Sequence, residues 1–431
     1  MSTSNVSLIK LPLALVFSIV IAGCQTISSK PVDDTSQIGS DGRLKYKIID
    51  VSSNPDGVLS QSRLEAFWRT ADRGKECQAG LDYARGKALP VTTYSAEALA
   101  AAEWRSPYVV ELGDFPSPFV TKKFPPPITE VSLNEAYGAR VYEVDQAREW
   151  FLATAVNALH PTRRSEYRLG LRQALVEWAQ ADALSKGIRV SWGKRPVDWQ
   201  VLTLIGALIN STALLADDLT PQEKAIVGPW VNRLAREIGN SYWASRQDNK
   251  AYMRSYYLAL WAVTIGDFNL LAELAEQYKL AINDMRPDGS MPIDSSRSGM
   301  GLKYHSDSAR YLTSLAYLFE TQAKLPLKRY TTADGRDLDT LVNFAIQGMK
   351  EPIETNRLHA RPCPNGGDRW GGIETPSTSY ISRMDFLKFY YLPMNPDTPH
   401  AKWLEMRGSS PKADEVLGPV AQGLFRKLAS D

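Results

Sequence analysis

The sequence predicts a mainly all-α chain, an (α/α) toroid of antiparallel helical hairpins with a less regular N-terminal segment. Three observations lead there. From about residue 145 the chain alternates stretches with apolar residues at helical spacing and short polar or Gly/Pro breaks, the pattern of helices with one buried face. Strand-like alternation is scarce. The 431 residues are 44% hydrophobic and 23% charged, a globular composition with ample material for a large core. No repeat of about 34 or 40 residues is present, which argues against tetratricopeptide and HEAT arrays and favours a ring of hairpins.

Taken in order, residues 44–144 are the least regular part. Lys45-Tyr46-Lys47-Ile48-Ile49-Asp50-Val51 is a strand candidate, and Phe124-Pro125-Pro126-Pro127 forces an extended stretch. Helices are then expected over 146–159, 164–185, 199–215, 221–238, 251–265, 270–282, 306–321, 338–350 and 381–392. In the second of these, Leu169, Leu171, Ala174, Leu175 and Trp178 recur at helical spacing, with Arg172, Gln173 and Glu177 between them. In the fourth, Thr220-Pro221-Gln222-Glu223 places a cap residue and then proline at the first helical position. No linker strong enough for a boundary interrupts residues 44–431, so they are expected to form a single domain.

The N-terminus reads as an export signal. Lys10 precedes an apolar run over 11–22, too short to span a bilayer comfortably. It ends in Ile21-Ala22-Gly23-Cys24, which resembles the bacterial lipobox and implies a signal peptide over 1–23 with lipidation at Cys24. Gln25 in place of aspartate implies sorting to the outer membrane, with the body in the periplasm or at the cell surface. Residues 24–43 are rich in Ser, Asp, Gly and Pro and read as a flexible tether. In that oxidising setting Cys77 and Cys363 are either a disulfide or two buried thiols.

Charge and motifs exclude several functions. Lys+Arg total 50 against 48 Asp+Glu, a net charge of +2, so no global field recruits nucleic acid. Three cysteines and four histidines are too few and too scattered for a metal scaffold. H-E-x-x-H, Walker A, G-x-S-x-G, EF-hand and C-x-x-C patterns are missing, so no metal or cofactor is expected. The 11 tryptophans and 19 tyrosines supply flat surfaces of the kind sugar grooves use.

Two segments carry chemistry. The first is Gln247-Asp248-Asn249-Lys250-Ala251-Tyr252-Met253-Arg254, opening into an apolar helix; the second runs from Pro287-Asp288-Gly289 through Pro292 and Arg297 to Tyr304-His305. Together they resemble the alginate lyase family of polysaccharide lyases, an (α/α) toroid. Its motif has paired asparagines and a histidine opening a helix, then D-x-x-G-x-L-P, then an arginine seven residues before a Tyr-His pair. Asn249 matches the second asparagine, Tyr252 the aromatic, Pro292 the proline, and Arg297 and Tyr304-His305 the rest. The resemblance covers roughly residues 145–392. Lys250 replaces the family's histidine, Met253 its tryptophan, and the lid tyrosine expected near Lys122 and Lys123 has no counterpart.

The resemblance implies β-elimination on a uronic-acid polymer without a metal. Asn249 and Arg297 would neutralise the sugar carboxylate, Lys250 would either add to that or act as a base, and Tyr304 would shuttle the proton, with neighbouring cations favouring its phenolate. Tyr252 and His305 would bind substrate. Lys122 and Lys123 are read as either a mobile basic lid or a solvated turn, and Arg369 and Trp370, in the glycine-rich run 365–372, as either groove-lining residues or part of a flexible connector. Loss of the histidine implies mannuronate- or glucuronate-type linkages, where one residue can serve as base and acid. Two other readings stand beside this: a glycoside hydrolase using two of Asp248, Asp294, Asp368 and Glu374, and a non-catalytic glycan-binding or assembly lipoprotein.

Overall fold

The computed structural model describes residues 89, 91–108, 124–129, 131–133, 139–159, 164–185, 188–190, 199–239, 248–361 and 372–378, with 381, 384 and 387–395. All of them belong to the unit Asp34–Asp431. The signal segment, the tether, the 45–51 strand candidate, and Cys24, Cys77 and Cys363 lie outside the described residues.

In chain order the elements are α1 (Ala96–Ala101), β1 (Val131–Leu133), α2 (Ala139–Asn157), α3 (Arg164–Gln180), β2 (Ile188–Val190), α4 (Trp199–Leu214) and α5 (Pro221–Gly239). There follow α6 (Asn249–Ile265), α7 (Phe268–Asp284), α8 (Pro292–Ser295), α9 (Gly301–Leu318), α10 (Leu338–Lys350), α11 (Pro352–His359) and α12 (Leu392–Met394). β1 and β2 pair in parallel, Val131 opposite Ile188, and are the only named strands among the described residues.

The helices form two layers. α2, α4, α6 and α9 pack side by side in that order as an inner row. Each carries the next long helix on its outside: α3 on α2, α5 on α4, α7 on α6 and α10 on α9. Composition dictates the layering. Along α6 every residue except Lys250 and Val263 is buried, and along α9 every residue except Lys303 and Tyr304, as expected of helices covered on both sides. Outer helices keep a wet face, as at Glu223, Lys224 and Ile226 on α5. This is the alternating inner and outer order of an (α/α) toroid, as expected.

Local chemistry sets the hairpins. Gly266 (φ 74°) ends α6 in the left-handed region, and Asp267 then caps α7 by accepting Leu270 N–H at 3.0 Å. At α5, Thr220 and Glu223 form the reciprocal cap, Thr220 N–H to Glu223 Oε2 at 2.9 Å and Glu223 N–H to Thr220 Oγ1 at 3.3 Å. α4 and α6 approach closely because Gly206 faces the Tyr257 ring, where a β-carbon would lie 2.2 Å from a ring carbon. Aromatic rings fill the space between layers: Phe151 and Trp178 meet edge to face at 5.1 Å, Trp104 and Trp261 at 5.4 Å. The indole N–H groups are satisfied, Trp261 donating to Asn232 Oδ1 at 3.0 Å and Trp230 to Ala183 O at 2.9 Å.

Several boundaries differ from the sequence reading. α3 stops at Gln180 because Asp182 (φ 45°) and Leu184 (φ 62°) turn the chain into the left-handed region. α9 starts at Gly301 rather than 306, so Tyr304 and His305 lie inside the helix; a run with two glycines and a serine disguises its start. The 381–392 stretch is not a regular helix: residues Leu387–Tyr391 form a wide π turn ahead of α12. α11 was not anticipated.

Candidate active site

The loop between α8 and α9 carries Arg297, and its shape is fixed from three directions. Arg361 N–H donates to Ser296 O at 3.0 Å, and Ser377 N–H to Gly299 O at 2.8 Å. Asn356 Nδ2 on α11 donates to Ser298 O at 3.2 Å and to Ile373 O at 3.0 Å. These contacts hold Ser298 at φ 46°, a conformation non-glycine residues seldom adopt. At Gly301 a β-carbon would lie 2.4 Å from Ser295 O, so glycine is what lets α9 begin against α8.

Tyr304 occupies the first turn of α9. The Arg297 guanidinium carbon lies 3.5 Å from the Tyr304 ring centre and Lys303 Nζ 4.5 Å from it, both within cation–π range. Arg297 Nη1 is buried and has no hydrogen-bond partner among the described residues. A guanidinium with an unused donor beside a half-buried phenol is suited to receive an anionic oxygen.

The start of α6 lies at the same end. Asp248 caps the helix, its Oδ1 accepting Lys250 N–H at 3.2 Å and Ala251 N–H at 3.3 Å. Asn249 N–H donates to Asp294 Oδ2 at 3.1 Å, and that oxygen also accepts the Ser308 hydroxyl at 2.5 Å. One carboxylate on α8 thus clasps the first residue of α6 to the second turn of α9. Asn249 Oδ1 has no partner among the described residues. Lys250 is half-buried, and the helix N-terminus adds roughly half a positive charge beside it.

Two residues expected to bind substrate are buried. His305 is fully buried; its Nδ1 accepts Met291 N–H at 3.2 Å and its ring meets Phe344 edge-on at 4.7 Å. Burial pushes its pKa down to about 3, with the Leu341 carbonyl opposing, so it is a neutral core histidine. The reason is helical geometry: adjacent residues differ by about 100° around the axis, so Tyr304 faces outward and His305 inward. Tyr252 is also buried, and burial together with the carboxylates of Asp294, Asp284 and Asp248 pushes its hydroxyl well above the usual phenol range. Lys122, Lys123, Asp368, Arg369 and Trp370 lie outside the described residues.

Three of the four carboxylates named for a hydrolase are otherwise engaged, the fourth, Asp368, lying outside the described residues. Asp248 is a helix cap, Asp294 is the clasp, and Glu374 is an exposed partner of Arg357. Sequence reasoning missed Lys303, Asp307, Arg254 and Asn356. Arg254 lies fully buried in α6, where burial, opposed by Asp248, pulls its pKa down to about 9, and Nε and Nη1 find no partner among the described residues. Lys303 had a signal, a cation adjacent to Tyr304; Asn356 had none.

A model of the alginate lyase family matches residues 130–355, more than half of the chain. Among individual relatives, a polysaccharide lyase of Stenotrophomonas maltophilia (strain K279a) is 26% identical over 157 residues, covering 36% of this chain and 46% of the relative. An alginate lyase of Pseudomonas putida (strain W619) is 24% identical over 185 residues, covering 41% and 46%. The chain thus spans about half the length of the curated relatives it matches. Among solved structures, alginate lyase A1-III complexed with a tetrasaccharide is similar in fold, with a TM-score of 0.57 at 18% identity over 72% of this chain and 87% of that one. The A1-III enzyme from Sphingomonas species A1 gives a TM-score of 0.50 at 17% identity over 85% and 94%. The matched span includes every described residue from Asn249 to Tyr304, and on this ground the chain belongs to the alginate lyase family.

Proposed function

We propose that the protein is a polysaccharide lyase that cleaves a uronic-acid-containing glycan by β-elimination. The observation carrying this is Tyr304: it is partly exposed on an inner helix whose other residues, apart from Lys303, are buried, with the Arg297 guanidinium carbon 3.5 Å from its ring centre. Elimination needs the C5–H bond broken beside a carboxylate whose negative charge opposes it. Arg297 and Lys250 neutralise that carboxylate, and Asn249, only 1% exposed, offers an amide N–H on opening of the helix start, together an electrostatic stabilisation of the enolate-like charge. These cations and the amide supply it without a metal. The Tyr304 oxygen takes the C5 proton, the C4=C5 double bond forms as the C4–O4 bond breaks, and the phenol returns the proton to O4.

One residue acting as both base and acid suits linkages with the C5 hydrogen and C4 oxygen on one face, so the preferred polymer is of the mannuronate or glucuronate type. The site sits on a body that a lipid at Cys24 would tether to the outer membrane, in the periplasm or at the cell surface. Support for that location is the Ile21-Ala22-Gly23-Cys24 pattern and the tether after it.

The test is to incubate the purified protein with polymannuronate, polyglucuronate and polyguluronate and follow unsaturated uronate absorbance in the ultraviolet. Signal is expected from one of the first two, and Tyr304→Phe is expected to lower kcat about a thousandfold. Reducing ends without absorbance would mean hydrolysis. Guluronan as sole substrate would overturn the single-residue mechanism, and full activity in Tyr304→Phe would remove the tyrosine from it.

A further inference from the structure

Lys303 is one of two residues of α9 that escape burial, and the other is Tyr304. Its Nζ is 4.5 Å from the Tyr304 ring centre and 3.5 Å from Asp307 Oδ2, one helical turn on. Asp307 is itself shared. Its Oδ1 lies 3.5 Å from Arg310 Nη2, and Arg310 Nη2 donates to the Tyr311 hydroxyl at 2.8 Å. The side chains of Asp307 and Arg310 are only 3% and 5% exposed, against 17% for Lys303.

The arrangement has an electrostatic consequence. An isolated Lys303–Asp307 pair would present little net charge to the tyrosine. With Arg310 drawing on the same carboxylate, two cations share one acid along the line Arg310–Asp307–Lys303, whose outer end points at the ring. Arg297 supplies a second cation to the same ring at 3.5 Å. Both act in a half-buried position, where charges couple more strongly than in water.

We propose that Lys303, steadied by Asp307 and Arg310, is a positioning residue of the active site that, with Arg297, stabilises the negative charge on the Tyr304 oxygen during proton abstraction. This rests on the lyase reading of Tyr304. Lys303 breaks no bond: the proton moves from C5 to the tyrosine oxygen and on to O4, and Lys303 remains an ammonium throughout. Such a role concerns the transition state and not substrate capture, so it belongs in kcat.

The experiment measures kcat and KM of the full chain and of Lys303→Gln, Lys303→Arg and Asp307→Asn on whichever of the three polyuronates the wild type cleaves, with thermal melting as the fold check. Lys303→Gln is expected to lower kcat roughly ten- to a hundredfold with KM within about twofold. Lys303→Arg should recover most of the loss, and Asp307→Asn should fall between. Unchanged kcat, a loss confined to KM, or an arginine variant no better than glutamine would overturn the inference while leaving the lyase reading intact. A wild type that forms no unsaturated product on any of the polymers would overturn both.

Discussion

His305 illustrates how a residue can sit beside the proposed proton carrier, Tyr304, and serve the fold. Its neutral ring is buried, and burial holds its pKa at about 3 against an ordinary value of 6.5. Between those values the unfolded chain binds a proton that the folded protein refuses, so stability rises with pH across the window and is lost as pH falls from about 6.5 toward 3. The full shift corresponds to an upper limit of about 5 kcal/mol. His305→Gln is expected to flatten the acid side of the stability profile, read as the urea midpoint at pH 7 and pH 5. An equal acid sensitivity in the variant would show that other groups carry it. At this scale the sequence was informative about residue types and spacing, and Arg297 and Tyr304 were both singled out. It was silent about direction: nothing in a Tyr-His dipeptide says which ring faces water until the start of α9 is known.

The elements that build the site meet through Asp294. Its carboxylate accepts Asn249 N–H at 3.1 Å and the Ser308 hydroxyl at 2.5 Å, fixing the start of α6 to α9. Asp294→Ala would leave both donors buried and unpaired, an expected cost of about 2–4 kcal/mol in chemical denaturation, with kcat falling more than KM changes because Asn249 and Lys250 shift relative to Tyr304. Unchanged stability would mean that another acceptor reaches both groups. The helices themselves were largely legible from apolar spacing: α4, α5 and α10 were expected within a residue of their observed ends. α9 and the 381–392 stretch were not, because glycines and a wide turn depend on what packs against them. Asn356, which clamps the Arg297 loop from α11, left no local pattern at all.

Across the whole molecule the near balance of 50 basic and 48 acidic residues hides an uneven local distribution, with Arg297, Lys303 and Lys250 at one end of the inner helices. If Arg297 and Lys250 meet a polyanion, KM on the cleaved polyuronate should rise several-fold between about 0.05 and 0.5 M salt, as screening shortens the reach of surface charge to a few ångströms, with kcat changing less. A salt-independent KM would place substrate recognition elsewhere. The aromatic excess is partly explained by packing, as in the Phe151–Trp178 and Trp104–Trp261 contacts. The sequence by itself determined the helical architecture and the family, because periodicity and motif spacing are properties of the chain. Only the tertiary structure decided which of the candidate residues stay partly exposed and that Lys303 lies against the Tyr304 ring, because burial and ring contact depend on how the elements pack.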